Sequence, residues 1–128
     1  MNKFEKITEE FYNKIKEHYG SSVFKKETPK LKFYPNIYSR LCGFEINESD
    51  VEDHPSAEYD RDQNIIFVYT NNVNNKAELV KTLIHEYKHY LQSGIWMERY
   101  YKMGYTYETH PYELEAIKEE ANYKMFLK

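Results

Sequence analysis

The segment of residues 76–93 constrains the fold more than any other part of the sequence, because its apolar residues recur at helical spacing. They fall three and four positions apart and form one stripe, which predicts an amphipathic helix packed on a core. Asn74 or Asn75 can cap its start, and Gly94 lies where a glycine commonly ends a helix. The stripe consists of Leu79, Val80, Leu83, Ile84, Tyr87, Tyr90 and Leu91.

The other patterns predict an α+β protein that forms one domain over residues 1–128. We expect an N-terminal helix, a small twisted sheet, the helix described above and a C-terminal helix that begins at Pro111, a residue favoured in the first turn. The further helices are expected at residues 2–19, 95–103 and 111–126. Strands are expected at residues 31–34, 57–59 and 65–69, with residues 40–46 as a further candidate.

Composition and charge argue against several classes of protein. The chain is 41% hydrophobic and 30% charged and has a net charge of -3, so it lacks the basic surplus of most nucleic-acid-binding domains. Its single cysteine, Cys42, cannot form an internal disulfide, and no segment resembles a signal peptide or a membrane span. We therefore expect a cytoplasmic protein without a nucleic-acid or membrane partner.

Within the central helix, the residues from His85 to His89 match the pattern H-E-x-x-H. Residues four apart on a helix lie one turn apart on the same face, so both imidazoles can reach one metal ion. Glu86 projects from the adjacent position, from which it can act on a water molecule without binding the metal. The spacing predicts a zinc site, whereas the alternative is two surface histidines beside a solvated glutamate.

A third ligand must come from elsewhere in the chain, because a zinc site needs more than two histidines. The metzincin extension H-E-x-x-H-x-x-G-x-x-H fails here, since Gln92 and Ile95 stand where that pattern has glycine and histidine. The start of the C-terminal helix offers Glu113, with His110 and Glu115 as alternatives. A glutamate in the first turn is also favoured by the helix dipole and by capping, so Glu113 has a purely structural interpretation as well.

These residues resemble those of the gluzincins, which are zinc peptidases with two motif histidines and a glutamate from a later helix. The resemblance covers the chain from Asn64 to the final helix, and Glu113 stands three residues before the small residue Ala116, as in several gluzincin families. The size and order of elements are similar to those of the minigluzincins and of small metallopeptidases from bacteria and their phages. With His110 as the third ligand, the site would instead be similar to that of SprT-like peptidases.

The resemblance implies a minimal zincin-like domain that hydrolyses peptide bonds in a peptide or protein substrate. The implied zinc ligands are His85, His89 and Glu113. Glu86 would take a proton from the zinc-bound water and pass it to the leaving amine. Three residues are candidates for the hydrogen-bond donor that stabilises the developing oxyanion: Tyr105, Tyr107 and His110. The substrate is expected to lie extended against the backbone of residues 64–70.

One position departs from the gluzincin pattern and leaves a role unassigned. Many gluzincins carry Asp or Asn where this chain has Ile117, and that residue orients a histidine ligand. Glu115 or Glu120 would have to take this role.

Three other functions are compatible with the sequence. The chain could be a metal-binding regulatory or interaction domain without turnover, or a narrow-specificity protease that cuts one regulatory protein. It could also be a helical interaction protein that uses the aromatic residues 96–107 and carries the motif by chance. Glu86 argues against a purely structural metal site, because such a site has no use for a carboxylate beside its ligands.

Overall fold

The computed structural model describes residues 2–41 and 55–127, in which the chain forms five α-helices and a three-stranded mixed sheet. The α+β prediction is therefore confirmed. The helices are α1 (Lys3–Tyr19), α2 (Ile37–Leu41), α3 (Lys76–Leu91), α4 (Gly94–Lys102) and α5 (Pro111–Glu119). The strands are β1 (Lys30–Tyr34), β2 (Ala57–Asp60) and β3 (Ile65–Tyr69). Two 3₁₀ segments are Thr70–Asn72 and Glu120–Phe126. Within the described ranges, no helix has the length and apolar character needed to cross a bilayer.

The sheet has the order β1-β3-β2, with β1 parallel and β2 antiparallel to the central strand β3. Every residue of β3 is buried, as its apolar sequence predicted. Ile66 and Val68 join the main core, whereas Ile65, Phe67 and Tyr69 form a second cluster on the opposite face. The prediction that residues 64–70 hold an extended substrate is wrong, because both edges of β3 are paired, and β1 and β2 are the outer strands.

Helix α1 begins and ends where its sequence dictates. The Asn2 side chain accepts the Glu5 backbone N–H at 2.9 Å, and the Glu5 carboxylate accepts the Asn2 N–H in return at 3.0 Å, which forms a capping box. The helix ends before Gly20, whose φ of +73° favours glycine. Helix α3 likewise begins after Asn75, one of the two predicted caps, whose side chain accepts the Glu78 N–H at 2.8 Å.

The C-terminal end of α3 differs from the prediction. The helix ends at Leu91, and Gly94 is the first residue of α4, with the Ser93 hydroxyl accepting the Trp96 N–H. A Cβ at position 94 would lie 2.7 Å from Cδ of Arg61, so a larger residue there would have to displace the Arg61 side chain.

Arg61 takes the place of the predicted glycine cap at the end of α3. Its guanidinium donates to the carbonyl oxygens of His89 at 2.7 Å and Gln92 at 3.0 Å. A cation at the C-terminal end of a helix satisfies carbonyl groups that have no helical partner and complements the helix dipole. Because Arg61 directly follows β2, it links the end of this strand to the backbone of His89.

Two further segments differ from their predictions. Arg40, expected at the start of a strand, lies in α2, and residues 42–46, including Cys42, lie outside the described part of the chain. The C-terminal helix changes from α to 3₁₀ geometry after Glu119 and continues in that form to Phe126, which is buried.

Buried tyrosines attach α1 and α3 to the connection between α1 and β1. The side chains of Tyr12, Tyr87 and Tyr90 are almost fully buried. Their hydroxyl groups donate to the carbonyl oxygens of Pro29, Gly20 and Lys25, respectively. Because each ring fills the core while its hydroxyl is satisfied, these tyrosines fix the position of α3 without a buried unpaired group.

Candidate metal centre

Three side chains with metal-binding atoms converge where α3 packs against α5. His85 and His89 lie one turn apart on α3, with ring centroids 4.9 Å apart. Glu113 projects from the first turn of α5, and its Oε2 lies 3.2 Å from Nε2 of His85 while its Oε1 contacts Nε2 of His89. One ligand atom from each residue lies within 4.8 Å of the other two. The structure thus brings together the three residues predicted as ligands.

The chemistry and spacing of these donors fit a metal ion. Two imidazole nitrogens and one carboxylate oxygen form a donor set found at catalytic zinc sites. Ligand atoms of one tetrahedral zinc ion lie roughly 3.4 Å apart, given bonds of ~2.0–2.1 Å. The candidate ligand atoms all lie within 4.8 Å of one another, so small side-chain adjustments would bring them to that spacing. His85, His89 and Glu113 could therefore hold a metal ion.

Nδ1 of each imidazole, the ring nitrogen that does not face Glu113, is already hydrogen-bonded. Nδ1 of His85 lies 2.8 Å from Oε2 of Glu120, and Nδ1 of His89 lies 2.8 Å from Oε1 of Gln92. Such contacts fix the ring orientation of metal-binding histidines and direct the other nitrogen toward the ion. Glu120, one of the two glutamates considered for this role, makes the contact, whereas Glu115 pairs with Lys88 at 3.1 Å.

The cluster is strongly ionic. Burial lowers the pKa of His85, but hydrogen bonds to Glu113 and Glu120 outweigh it and raise that pKa to about 10. Burial raises the pKa of Glu113, but hydrogen bonds from His85 and His89 outweigh it and hold that pKa well below its usual range. Glu113 therefore presents a charged carboxylate, the form that binds a cation.

Glu86 lies beside this cluster and contacts β2, one of the two outer strands of the sheet. Its Oε1 accepts the backbone N–H of Tyr59 at 2.9 Å, so one carboxylate oxygen is anchored on β2. Burial raises the pKa of Glu86 to about 6, although the nearby imidazoles of His89 and His85 and the Tyr59 N–H oppose the shift. A carboxyl group with a pKa near neutrality is suited to accept and release a proton.

A cleft of about 1010 Å³ opens beside the cluster, lined by residues of β2, α4 and α5 among others. Glu86, His89 and Glu113 line it, together with the aromatic side chains of Tyr101 and Tyr107. A smaller groove of about 310 Å³ is also lined by Glu86 and Tyr107. The tyrosines of residues 87–107 thus contribute both to the core, through Tyr87 and Tyr90, and to the cleft wall, through Tyr101 and Tyr107.

Of the three candidate oxyanion donors, only Tyr107 lines the cleft beside the described metal-binding residues. Burial and then the negative charge of Glu113 raise the pKa of Tyr107, which keeps its phenol protonated and able to donate. Tyr105 instead packs against the ring of Tyr100, with centroids 5.6 Å apart.

His110 occupies a structural position instead of joining the metal-binding group. It is fully buried at the start of α5, where its Nδ1 accepts the Tyr112 N–H at 3.0 Å and its Nε2 donates to the Met97 carbonyl oxygen at 2.9 Å. Both ring nitrogens are therefore used by backbone groups. His110 caps α5 and connects it to α4, which helps place Glu113 in the first turn of α5.

Two residues at the site were not anticipated from the sequence. In the sequence, Gln92 stands out only as a departure from the metzincin pattern, although it lies three residues after His89, a spacing that brings side chains to one helical face. Tyr101 gave no signal beyond membership of an aromatic segment, because its place in the cleft depends on how α4 packs.

Comparisons of the chain with models of protein families, with curated protein sequences and with solved structures gave no match.

Proposed function

We propose that this protein is a zinc-dependent peptidase of zincin-like fold. The observation that carries the proposal is the convergence of His85, His89 and Glu113 at a cleft that also contains the Glu86 carboxylate. A bound zinc ion supplies Lewis-acid chemistry, because it polarises a carbonyl oxygen and lowers the pKa of a water molecule. A purely structural zinc site is completed by a fourth protein ligand and has no need of a cleft beside it.

Glu86 serves as the general base in this proposal. Its anchored oxygen, which accepts the Tyr59 N–H at 2.9 Å, fixes the carboxylate while the second oxygen is directed to the attacking water molecule. The carboxylate takes a proton from that water molecule and passes it to the leaving amine. A positioned general acid or base of this kind contributes about 10²–10⁴-fold to a rate.

The substrate is a peptide or protein segment that lies in the cleft beside β2. Among the described strands, β2 pairs only with β3, so the backbone groups on its outer edge, apart from the Tyr59 N–H that donates to Glu86, are available for hydrogen bonds with an extended chain. The Tyr107 hydroxyl, which faces the negative charge of Glu113, is placed to donate to the oxygen of the carbonyl under attack. The cytoplasmic location inferred from the single cysteine belongs to the same proposal.

Removal and replacement of the metal ion test this function. We expect the purified protein to contain zinc and to hydrolyse members of a quenched-fluorescence peptide pool. Treatment with a chelator should abolish hydrolysis, and added Zn²⁺ should restore it because the ligand set contains two imidazoles. Mg²⁺, which prefers oxygen ligands, is the matched control and should not restore hydrolysis. Hydrolysis that persists after complete removal of zinc would refute the proposal.

A further inference from the structure

Gln92 lies between the two helices that supply the candidate ligands. It is the C-cap residue that follows α3, and only 4% of its surface is exposed. Its Oε1 lies 2.8 Å from Nδ1 of His89, and its Nε2 donates to the backbone carbonyl of Tyr112 at 3.0 Å. Tyr112 immediately precedes Glu113, so a single amide contacts one ligand directly and the backbone beside another.

The contacts on the α5 side determine which way the Gln92 amide faces. The Tyr112 carbonyl oxygen can only accept a hydrogen bond, so the NH₂ group must face it. Glu115 adds a second acceptor, with its Oε1 3.5 Å from the same nitrogen. The opposite orientation would set the amide oxygen against two acceptors. Oε1 is therefore the atom that faces His89.

The orientation of the amide in turn determines which nitrogen of His89 carries a proton. Because Oε1 of Gln92 can only accept, Nδ1 of His89 must donate, which leaves Nε2 as the ring nitrogen able to bind a metal ion. Nε2 is the nitrogen that faces Glu113. The Gln92 amide thus couples the position of α5 to the ring orientation of His89.

We infer that Gln92 is a positioning residue that fixes the tautomer and orientation of His89 for metal binding. This inference rests on the proposed metal centre and assigns a role that the proposed function does not require. The role is carried by an uncharged residue, whereas Glu120 supports His85 with a carboxylate.

Two substitutions distinguish a positioning role of Gln92 from a role in packing alone. Gln92→Met keeps the length of the side chain but removes both hydrogen bonds. Gln92→Glu keeps an acceptor for His89 and loses the donor to Tyr112. Affinity for Zn²⁺ is measured by competition with a chelator, and the visible absorption of Co²⁺ bound in place of zinc reports ligand geometry. Thermal unfolding of the metal-free variants measures stability separately.

We expect Gln92→Met to lower Zn²⁺ affinity by about 10–100-fold and to alter the Co²⁺ spectrum, because loss of a partner behind a histidine ligand has effects of this size. Gln92→Glu should keep the affinity of the wild-type protein or exceed it, even if its metal-free form is less stable. The control is Thr8→Val, which removes a buried hydroxyl that donates to the Phe4 carbonyl in α1, and it should lower stability without changing Zn²⁺ affinity.

Two results would overturn the inference while leaving the metal centre intact. These are wild-type Zn²⁺ affinity in Gln92→Met, and an equal loss of affinity in both variants, which would mean that affinity follows stability alone. If the wild-type protein binds neither Zn²⁺ nor Co²⁺, the metal centre and the role of Gln92 both fail. The binding data for the wild-type protein thus distinguish failure of the proposed function from failure of this inference.

Discussion

Replacing Glu86 with glutamine should lower kcat/KM for peptide hydrolysis by about 10²–10⁴-fold, the usual contribution of a positioned general base. The amide oxygen of glutamine can still accept the Tyr59 N–H, so the side chain should keep its position on β2. The substitution removes only the charge and the ability to accept a proton. Hydrolysis should therefore fall while Zn²⁺ affinity and thermal stability are preserved.

The matched control is Glu98→Gln, which makes the same chemical change at an exposed pair with Lys102 on α4. This variant should retain wild-type kcat/KM. Both proteins are prepared identically and assayed with the same peptides, so a contaminating protease would appear equally in each. Retained turnover in Glu86→Gln would refute the catalytic role of this carboxylate, whatever the metal content.

The second large effect is expected from removal of a candidate ligand. His85→Ala and His89→Ala should each abolish the stabilisation that the wild-type protein gains from zinc. A ligand that binds only the folded state stabilises it by about 2.7 kcal/mol when its free concentration is 100 times Kd. The alanine variants should show no such gain at the same zinc concentration, as measured by thermal unfolding with and without the metal.

The metal-free variants should also be less stable than the metal-free wild-type protein. Without the His85 ring, the carboxylates of Glu113 and Glu120 each lose an ion pair. The control is His18→Ala, because His18 is an exposed histidine on α1 whose ring contacts Tyr19 and Phe126. This variant should keep the full response to zinc. An equal response in His85→Ala would show that the ligand assignment is wrong.

The parts of the fold that could be predicted depend on local patterns. The apolar stripe of α3, the Asn75 cap and the two-sided burial of β3 each follow from spacing within a few residues, and the structure confirms them. The convergence of His85 and His89 is also local, since helical geometry alone brings positions four apart to one face.

The errors fall where tertiary packing overrides a local signal. Gly94 reads as a helix-ending glycine, yet the space it leaves is filled by Arg61, which lies far away in the sequence. His110 is a plausible ligand by residue type, but its position before Pro111 makes it the cap of α5. The contact between Arg61 and position 94 and the hydrogen bond from His110 to Met97 both join residues more than ten positions apart, so no local pattern contains them.

In the candidate site, too, local patterns predict some residues, whereas the roles of others depend on tertiary packing. The resemblance to the gluzincins predicts Glu113 as a metal ligand. Its place opposite the two imidazoles depends on the packing of α5 against α3. The residues behind the imidazoles, Gln92 and Glu120, come from the end of α3 and from the segment after α5. Their roles follow from that packing as well, so the sequence could at most nominate Glu120 as a possibility.

The most direct test of the central claim is a crystal structure of the zinc-loaded protein with diffraction data collected above and below the zinc absorption edge. We predict one anomalous peak at ~2.0–2.1 Å from Nε2 of His85 and of His89 and at ~2.0–2.2 Å from a carboxylate oxygen of Glu113. Zinc bound elsewhere, or no zinc among these three side chains, would contradict the account.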